Sequence, residues 1–213
     1  IVIVDYACVH KVSDAPEREM PAQRVHAFHT GNSRKESHDE TPQFDEEFDL
    51  AHLIEGSGNR LVWRVIRDLK EGRKDAYNSQ LFIHGPTGAG KSHALFCIGR
   101  SISGINPDMR VVYICAPDFV AEYVDAAWGD RAAKEIFAQK YRMLDVLLVD
   151  DAHAFSGEKS QLRFISVLEA LRTHNGIVAI GAEKPPHEFS KKVLPALRSR
   201  FLSMLVLPLG PCD

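Results

Sequence analysis

The sequence predicts an α/β fold in which helices cover a parallel sheet. Apolar runs of strand length alternate with helical runs from about Asn59 to the end of the chain, and parallel strands need such crossovers between them. A glycine-rich motif at residues 85–92 stands between a strand-like segment and a helical one, which is the context of a phosphate-binding loop. With 45% hydrophobic residues, the chain can build one sizeable core.

The first helix of this domain is predicted to follow Asn59, which can cap its start, and to end at Gly72. Its apolar residues fall on one helical face: Leu61, Val62, Val65, Ile66 and Leu69. The predicted strands are Gln80–His84, Arg110–Cys115, Val146–Asp150, Ile177–Gly181 and Ser203–Leu207. The predicted helices are Lys91–Ser103, Pro117–Trp128, Arg131–Met143 and Ser160–Asn175, and a shorter helix precedes Arg200.

The segment before this domain is polar. We interpret residues 1–47 as mostly a disordered linker, in which residues 1–4 can be the end of a lost N-terminal domain, and residues 48–213 as the folded domain. Because the chain begins with Ile, we expect it to be a fragment. No apolar run is long enough for a membrane-spanning helix. The four cysteines form no C-x-x-C pair, which indicates reduced thiols and a cytoplasmic protein.

Residues 85–92 match the pattern G-x-x-x-x-G-K-[ST]. Its glycines let backbone N–H groups face phosphate oxygens, and the N-terminus of the following helix favours anions. Lys91 is expected to reach the β and γ phosphates of ATP, and Ser92 to place its hydroxyl on Mg²⁺. A plain glycine-rich turn is the weaker alternative, because four fixed identities stand at fixed spacing. The residues expected at the nucleotide here are Gly85, Gly88, Ala89, Gly90, Lys91, Ser92 and His93.

Two adjacent carboxylates end the predicted strand Val146–Asp150. Asp150 is predicted to serve Mg²⁺, while Asp151, which points in a different direction, is predicted to orient or deprotonate the attacking water. The alternative is a buried strand that surfaces at an acidic turn. That alternative is common for an isolated strand and weaker when a phosphate-binding loop precedes it.

An arginine at the end of the predicted short helix is a third candidate. In ATPases that assemble side by side, such a residue reaches the γ phosphate bound by the next subunit. Arg200 stands in this position, just before the last strand. A solvated surface charge is the alternative, and the local sequence does not decide between the two.

These motifs and their flanks together resemble the DnaA family of bacterial replication initiators, over about residues 48–213. Before the loop, Ala76-Tyr77-Asn78 and Leu81-Phe82-Ile83 are similar to the family pattern AYNPLFIYG, and His93 and Ile98-Gly99 match positions after it. Ile54-Glu55-Gly56 with Asn59 is similar to the family's segment against the adenine. Residues 144–151 resemble its metal-binding strand, and residues 197–201 its LRSRF box.

The resemblance implies an AAA+ fold of the P-loop NTPase class, with a five-stranded parallel sheet of order 5-1-4-3-2 and without the helical lid. It implies ATP and Mg²⁺ as cofactors and a weak, assembly-dependent hydrolysis that resets the ATP form to the ADP form. By the same match, Asn59 contacts the nucleotide, and Arg200 is the arginine finger. The ATP form is expected to assemble into a filament at a replication origin.

The resemblance also bears on DNA. Residues 117–143 correspond to the helix pair that lines the single-stranded DNA path, so Lys134, Lys140 and, in the next loop, Lys159 are candidate contacts. An amphipathic helix with a solvated face is the alternative, and the sequence favours it. The formal net charge of −3 supplies no general attraction for nucleic acid. Origin duplex is expected to be recognised mainly by a helix-turn-helix that, in the family, follows the lid beyond residue 213.

The sequence departs from the family pattern at several positions. Ala182-Glu183 stands where the family has a Ser-Asp pair as its first sensor, which leaves Glu183 as a candidate sensor. Ala196 stands just before the LRSRF box, where the family has an arginine. His153 stands where the family favours Gln. We expect ATP binding to be unaffected by these changes, and subunit assembly and hydrolysis to be altered.

The leading hypothesis is therefore a replication initiator, an ATPase used mainly as a switch. A helicase-loader or transposition-helper ATPase is one alternative, because it shares the phosphate-binding loop, the paired aspartates and a finger arginine. A regulatory paralogue that binds nucleotide and partner proteins without acting at an origin is another. Glu183 and Ala196 motivate the second alternative.

Overall fold

The computed structural model describes residues 55–73 and 80–210. The predicted linker at residues 1–47, the start of the domain at residue 48 and the Ala76-Tyr77-Asn78 stretch lie outside these residues. The helices are α1 Arg60–Lys70, α2 Lys91–Ile105, α3 Ala116–Trp128, α4 Arg131–Arg142, α5 Glu158–Thr173 and α6 Pro195–Leu202. The strands are β1 Gln80–His84, β2 Val111–Cys115, β3 Val146–Asp150, β4 Ile177–Ala182 and β5 Leu205–Pro208. Short 3-10 turns follow at Ala152–Ala154 and Pro186–Glu188.

The five strands form one parallel sheet in the order β2-β3-β4-β1-β5. Read from the other edge, this is the predicted order 5-1-4-3-2, so the predicted fold class is confirmed. Because every strand runs in the same direction, the segments that follow β1, β3 and β4 all begin at one edge of the sheet. Residues 85–92 and Glu183 stand on the segments that follow β1 and β4, and Asp150 is the last residue of β3.

Side chains alternate between the two faces of the sheet, and each face has its own core. Leu81 and Ile83 of β1 join a core with α1 and α2. Phe82, between them, points into the other core, which includes residues of α3 to α6. All residues of β2, β3 and β4 are buried, as expected for parallel strands covered on both faces.

Aromatic rings hold the second core together. Phe119 of α3 contacts Tyr141 of α4 and Phe164 of α5, each with ring centroids 5.1 Å apart in edge-to-face geometry. Phe82 of β1 and Phe201 of α6 lie 5.3 Å apart. Edge-to-face rings are a favoured arrangement for buried aromatic pairs. They fix α3 to α6 against the sheet and thereby hold the positions of the loops between them.

Element boundaries differ from the predictions by two residues at the end of α2, at both ends of α5 and at the start of β5. The helix α5 begins at Glu158, and the hydroxyl of Ser160, the predicted first residue, donates to the carbonyls of Ser156 and Gly157, 2.5 and 2.9 Å away. The strand β5 begins at Leu205 because Ser203 ends α6, where its hydroxyl donates to the Arg200 carbonyl at 2.7 Å. Within the described part of the chain, no helix is long and apolar enough to cross a membrane.

Candidate functional site

The loop after β1 is bent tightly by its glycines. Gly88 and Gly90 have φ angles of +82° and +92°, values that side chains disfavour. At Gly85, an added Cβ would stand 1.9 Å from the Leu209 carbonyl oxygen, so only glycine fits there. Lys91 is buried, with 8% of its surface exposed. Its Nζ donates to the Gly85 and Pro86 carbonyls, both at 3.0 Å, so the ammonium lies inside the loop.

The loop and the acidic end of β3 meet directly. The Ser92 hydroxyl donates to Asp150 Oδ2 at 2.5 Å, and the Tyr113 hydroxyl of β2 donates to the same oxygen at 3.1 Å. Asp150 is only 2% exposed. A Cβ at Gly181 would stand 2.6 Å from Asp150 Oδ1, so the missing side chain on β4 makes room for this carboxylate. The structure thus brings the two predicted metal ligands together.

Asp151 has a backbone that turns it away from Asp150. Its φ angle is +52°, and its N–H donates to Asp150 Oδ1 at 2.8 Å. Asp150 is buried at the end of β3, while Asp151 is half-buried and begins the 3-10 turn Ala152–Ala154. The two carboxylates therefore occupy different surroundings, as two different chemical roles require. The roles themselves stay predictions.

Glu183 links the end of β4 to the phosphate-binding loop. Its Oε1 accepts a hydrogen bond of 2.7 Å from the Thr87 hydroxyl, and its Oε2 lies 3.9 Å from His153 Nε2. The Thr87 hydrogen bond, assisted by the nearby His153, lowers the pKa of the Glu183 carboxyl. A carboxylate is thereby held at the rim of the loop, although its side chain stays 42% exposed.

The turn before α1 lies at the same edge of the sheet. Gly210 N–H donates to the Gly58 carbonyl at 2.8 Å, and Leu209 N–H donates to the His84 carbonyl at 2.7 Å. Asn59 is 2% exposed, and its side-chain oxygen accepts from Gly56 N–H at 2.8 Å instead of capping α1. Asn59 is therefore the N-cap residue of α1, as predicted, but its side chain makes no capping hydrogen bond. The predicted nucleotide contact of Asn59 stays a prediction.

Arg200 lies on the outside of α6. Its guanidinium forms an ion pair with Glu169 of α5 at 2.5 Å, and the two side chains are 44% and 46% exposed. By contrast, Arg198 is half-buried and donates to the Phe189 and Ser190 carbonyls, both at 3.0 Å. Of the two arginines in the box, Arg198 thus holds the local structure, and Arg200 faces solvent.

The three lysines proposed for DNA differ in their surroundings. Lys140 is half-buried and forms an ion pair with Glu122 of α3 at 2.7 Å. The same carboxylate accepts from the Tyr141 hydroxyl at 2.8 Å, and burial with this neighbour raises the pKa of Tyr141 well above its usual value. Lys134 and Lys159 are exposed. The structure therefore gives Lys140 a partner within the chain.

Sequence reasoning missed three residues of this site. Thr87 stands at a variable position of the loop motif, and its partner Glu183 is 96 residues away. Tyr113 was placed only within a strand, although a hydroxyl in the run Val-Val-Tyr-Ile-Cys signals a buried polar partner. Gly181 ends an apolar run, and a glycine inside a strand signals close approach of another group.

The donor set at Ser92 and Asp150 fits Mg²⁺, because a hydroxyl and a carboxylate are the hard oxygen ligands that this ion prefers. Among the described residues, no group of three or more His, Cys, Asp or Glu side chains could hold a metal ion. A site with few protein ligands suits an ion that shares its coordination with nucleotide phosphates.

The sequence and the fold were compared with those of known proteins. A model of the bacterial DnaA ATPase domain family matches residues 44–207. Domain III of the Thermotoga maritima replication initiation protein DnaA is 28% identical, with a TM-score of 0.72, and the match covers 79% of this chain and 69% of that one. A replication initiator DnaA bound to AMPPCP and single-stranded DNA is 26% identical, with a TM-score of 0.69, and covers 79% of this chain.

The match covers 51% of that second DnaA chain, so the present chain spans about half of its length. The DnaC helicase loader is 13% identical, with a TM-score of 0.62, and the match covers 78% of this chain and 99% of the loader. At this identity, the likeness to the loader concerns the fold alone.

Proposed function

The chain belongs to the bacterial DnaA ATPase domain family, and we propose that it acts as an ATP-dependent switch in the initiation of DNA replication. In this proposal the ATP form assembles on origin DNA, and slow hydrolysis returns it to the ADP form. The observation that carries the proposal is the hydrogen bond between Ser92 and Asp150. It joins the phosphate-binding loop to the acidic strand end, as a nucleotide switch requires.

Lys91 prepares the loop for phosphate. Its ammonium is buried and held by two carbonyl oxygens, which are weaker partners than anionic phosphate oxygens. When ATP enters, Lys91 exchanges these carbonyls for the β and γ phosphates. Gly88 and Gly90 present backbone N–H groups to the same oxygens, and the N-terminus of α2 adds a favourable dipole. The Ala89 N–H donates to the Pro86 carbonyl at 3.2 Å and would leave it to join them.

Ser92 and Asp150 would hold Mg²⁺, which would supply positive charge to offset the charge of the ATP phosphates. Tyr113 and the space beside Gly181 fix the Asp150 carboxylate for this purpose. Asp151 orients or deprotonates the attacking water. Glu183, tied to Thr87 of the loop, acts as the sensor that couples the end of β4 to the phosphates.

Arg200 completes the site of a neighbouring subunit. Its exposure and its place on the outer surface of α6 support a role in trans, in which the guanidinium reaches the γ phosphate bound by the next copy. Hydrolysis in this proposal depends on assembly. The protein is proposed to work in the cytoplasm.

Single-stranded DNA is a proposed partner, because a DnaA relative binds it. Lys134 and Lys159 are exposed and can contact its phosphates, whereas Lys140 would first have to leave Glu122. We propose that Lys140 holds α3 against α4 and that the other two lysines face the strand. Duplex origin DNA is proposed to bind mainly through a C-terminal domain of the kind found in the family.

The proposal is tested by the turnover of Mg-ATP as a function of protein concentration. A switch that hydrolyses in trans is expected to show a rate per subunit that rises with concentration, and Asp151→Asn is expected to remove that rate while ATP still binds. A regulatory protein is the second candidate, and Ala182-Glu183 favours it, because this pair stands where the family has Ser-Asp as its first sensor. Tight ATP binding without turnover at every concentration would favour the regulator.

A further inference from the structure

The outer face of α1 carries three arginines in a row. Arg60, Arg64 and Arg67 are all exposed and follow one another at spacings of four and three residues. At 3.6 residues per turn, they lie within about 60° of one another around the helix. Trp63 is half-exposed on the same side, and the Arg67 guanidinium lies over its ring, 5.1 Å from the centroid. We call these four residues the basic face of α1.

The acidic residues nearest to this face on the helix share one other arginine as their partner. Asp68 is buried and forms an ion pair with Arg73. Glu71 at the end of the helix pairs with the same arginine at 2.5 Å. Within the described residues, 55–73 and 80–210, none of the three arginines of the basic face forms an ion pair. Their charges therefore act outward, although the whole chain has a formal net charge of −3.

The opposite side of α1 excludes one explanation of the arginines. Val62, Ile66 and Leu69 are at most 4% exposed and lie in the core shared with α2 and β1. A helix that inserts into a membrane surface needs its apolar side free. Because that side is buried in the domain, the basic face is not part of a membrane-inserting helix.

We propose that the basic face of α1 binds the sugar–phosphate backbone of DNA. Arginine is the cation best suited to phosphate, because its planar guanidinium donates two parallel hydrogen bonds. Arg60 and Arg67 are separated by about 10 Å along the helix axis, which is about the axial length of three nucleotides in one strand. Trp63 adds an aromatic ring beside the cations, a combination that suits unstacked bases of a single strand.

The basic face is separate from the proposed lysine path, by which we mean the single-stranded DNA contacts of Lys134 and Lys159. It belongs to the α1–α2 side of the sheet, whereas α3, α4 and α5 cover the other side. It follows directly after Asn59, a predicted nucleotide contact, and the Gly210 N–H donates to the carbonyl of the preceding Gly58. The inference goes beyond the proposed function, and neither requires the other.

DNA binding by the 213-residue chain and by the double variant Arg64→Ala/Arg67→Ala tests this proposal. Fluorescence anisotropy of a labelled single strand, and of the same sequence as duplex, is measured over a range of salt concentrations. The variant is expected to bind several-fold more weakly, and its slope of log affinity against log salt is expected to be smaller by about 2, or about 1 for each lost phosphate contact. The DNA, single-stranded or duplex, for which the variant loses more affinity is the form that the basic face binds.

Lys191→Ala/Lys192→Ala is the matched control, because it removes the same charge from exposed positions before α6. It is expected to keep the wild-type slope. Lys134→Ala/Lys159→Ala tests the other side of the sheet. If only this variant loses DNA affinity, the inference is overturned and the proposed lysine path is supported. If only the arginine variant loses DNA affinity, the inference is supported and the lysine path is not.

A local signal comes from Trp63 itself. The chain has two tryptophans, so Trp128→Phe leaves Trp63 as the only one, and its emission is expected to change along the same binding curve as the anisotropy. Unchanged emission together with unchanged affinity in Arg64→Ala/Arg67→Ala would contradict the proposal. So would binding to phosphatidylserine vesicles that the two arginines control while DNA affinity stays the same.

Discussion

The two halves of the proposed catalytic arrangement are built in different ways. The phosphate and metal half is buried: Asp150 is 2% exposed and accepts hydrogen bonds from Ser92 and Tyr113. The finger half, Arg200, is 44% exposed and is paired across the surface with Glu169 of α5. Buried hydrogen-bonded groups are costly to rearrange, whereas exposed ion pairs contribute about 0–1 kcal/mol and exchange partners easily.

This difference teaches which part of the activity one chain contains by itself. Ser92, Asp150 and Lys91 are already arranged within the chain, so nucleotide binding is expected of the single subunit. Arg200 is held weakly on the outer surface, so its action is expected to need a neighbour. Binding and hydrolysis should therefore respond to different substitutions.

The largest effect is expected from Arg200→Ala. If Arg200 acts in trans on the γ phosphate, its loss should lower the hydrolysis rate at high protein concentration by about 10³-fold or more, because finger arginines are worth 10³ to 10⁵. ATP affinity of the single subunit should not change. The rate is measured by phosphate release, with Arg172→Ala as an exposed control on α5. Equal rates in both variants would remove Arg200 from catalysis.

Lys91→Ala is expected to affect the buried half alone. Mg-ATP at a hundredfold excess over its dissociation constant should stabilise the wild type by about 2.7 kcal/mol through linkage, and the variant should lose this stabilisation because the β and γ phosphates lose their cation. Thermal unfolding with and without nucleotide measures it. If the variant kept the full stabilisation, the phosphate site would have to lie elsewhere.

Gly181→Ala tests how tightly Asp150 is held. The new Cβ would stand 2.6 Å from Asp150 Oδ1 and 3.2 Å from Leu95 Cδ1, so we expect a loss of about 1–3 kcal/mol in unfolding free energy and weaker binding of Mg-ATP. Gly104→Ala is the matched control, because a Cβ there meets nothing within 4 Å and alanine favours a helix. Urea unfolding of both variants makes the comparison. A loss of equal size in both would show that Gly181 is not special.

The smallest effect is expected from Glu169→Gln, which removes the surface partner of Arg200. Stability should change by less than about 1 kcal/mol, and concentration-dependent hydrolysis should rise a few-fold because Arg200 is released. Glu158→Gln, at the exposed start of the same helix, serves as control. A fall in hydrolysis would mean instead that Glu169 holds Arg200 in its productive position.

The sequence carried the chemistry of the buried half because that chemistry lies in short motifs. The loop at residues 85–92 and the carboxylates Asp150 and Asp151 need only local spacing to be recognised, and the strand order followed from the family resemblance. What could not be predicted depends on packing between distant segments. Thr87 meets Glu183, and Tyr113 meets Asp150, only after the sheet has formed.

Surface pairing was equally hidden. Nothing local to Lys140, a candidate DNA contact, indicates Glu122 as its partner, and nothing local to Arg200 indicates Glu169. The basic face of α1 could have been predicted from the sequence. Helical periodicity was applied to its apolar residues, and the same periodicity places Arg60, Arg64 and Arg67 on the opposite side.

The central claim is that one subunit binds ATP and its neighbour supplies the arginine. The most direct measurement is the hydrolysis rate of an equimolar mixture of Asp151→Asn and Arg200→Ala, each of which should be inactive alone. The Asp151→Asn subunit keeps Arg200, and the Arg200→Ala subunit keeps its own water-orienting carboxylate. Recovery of hydrolysis in the mixture is the predicted result, and a mixture as inactive as its components would contradict the account.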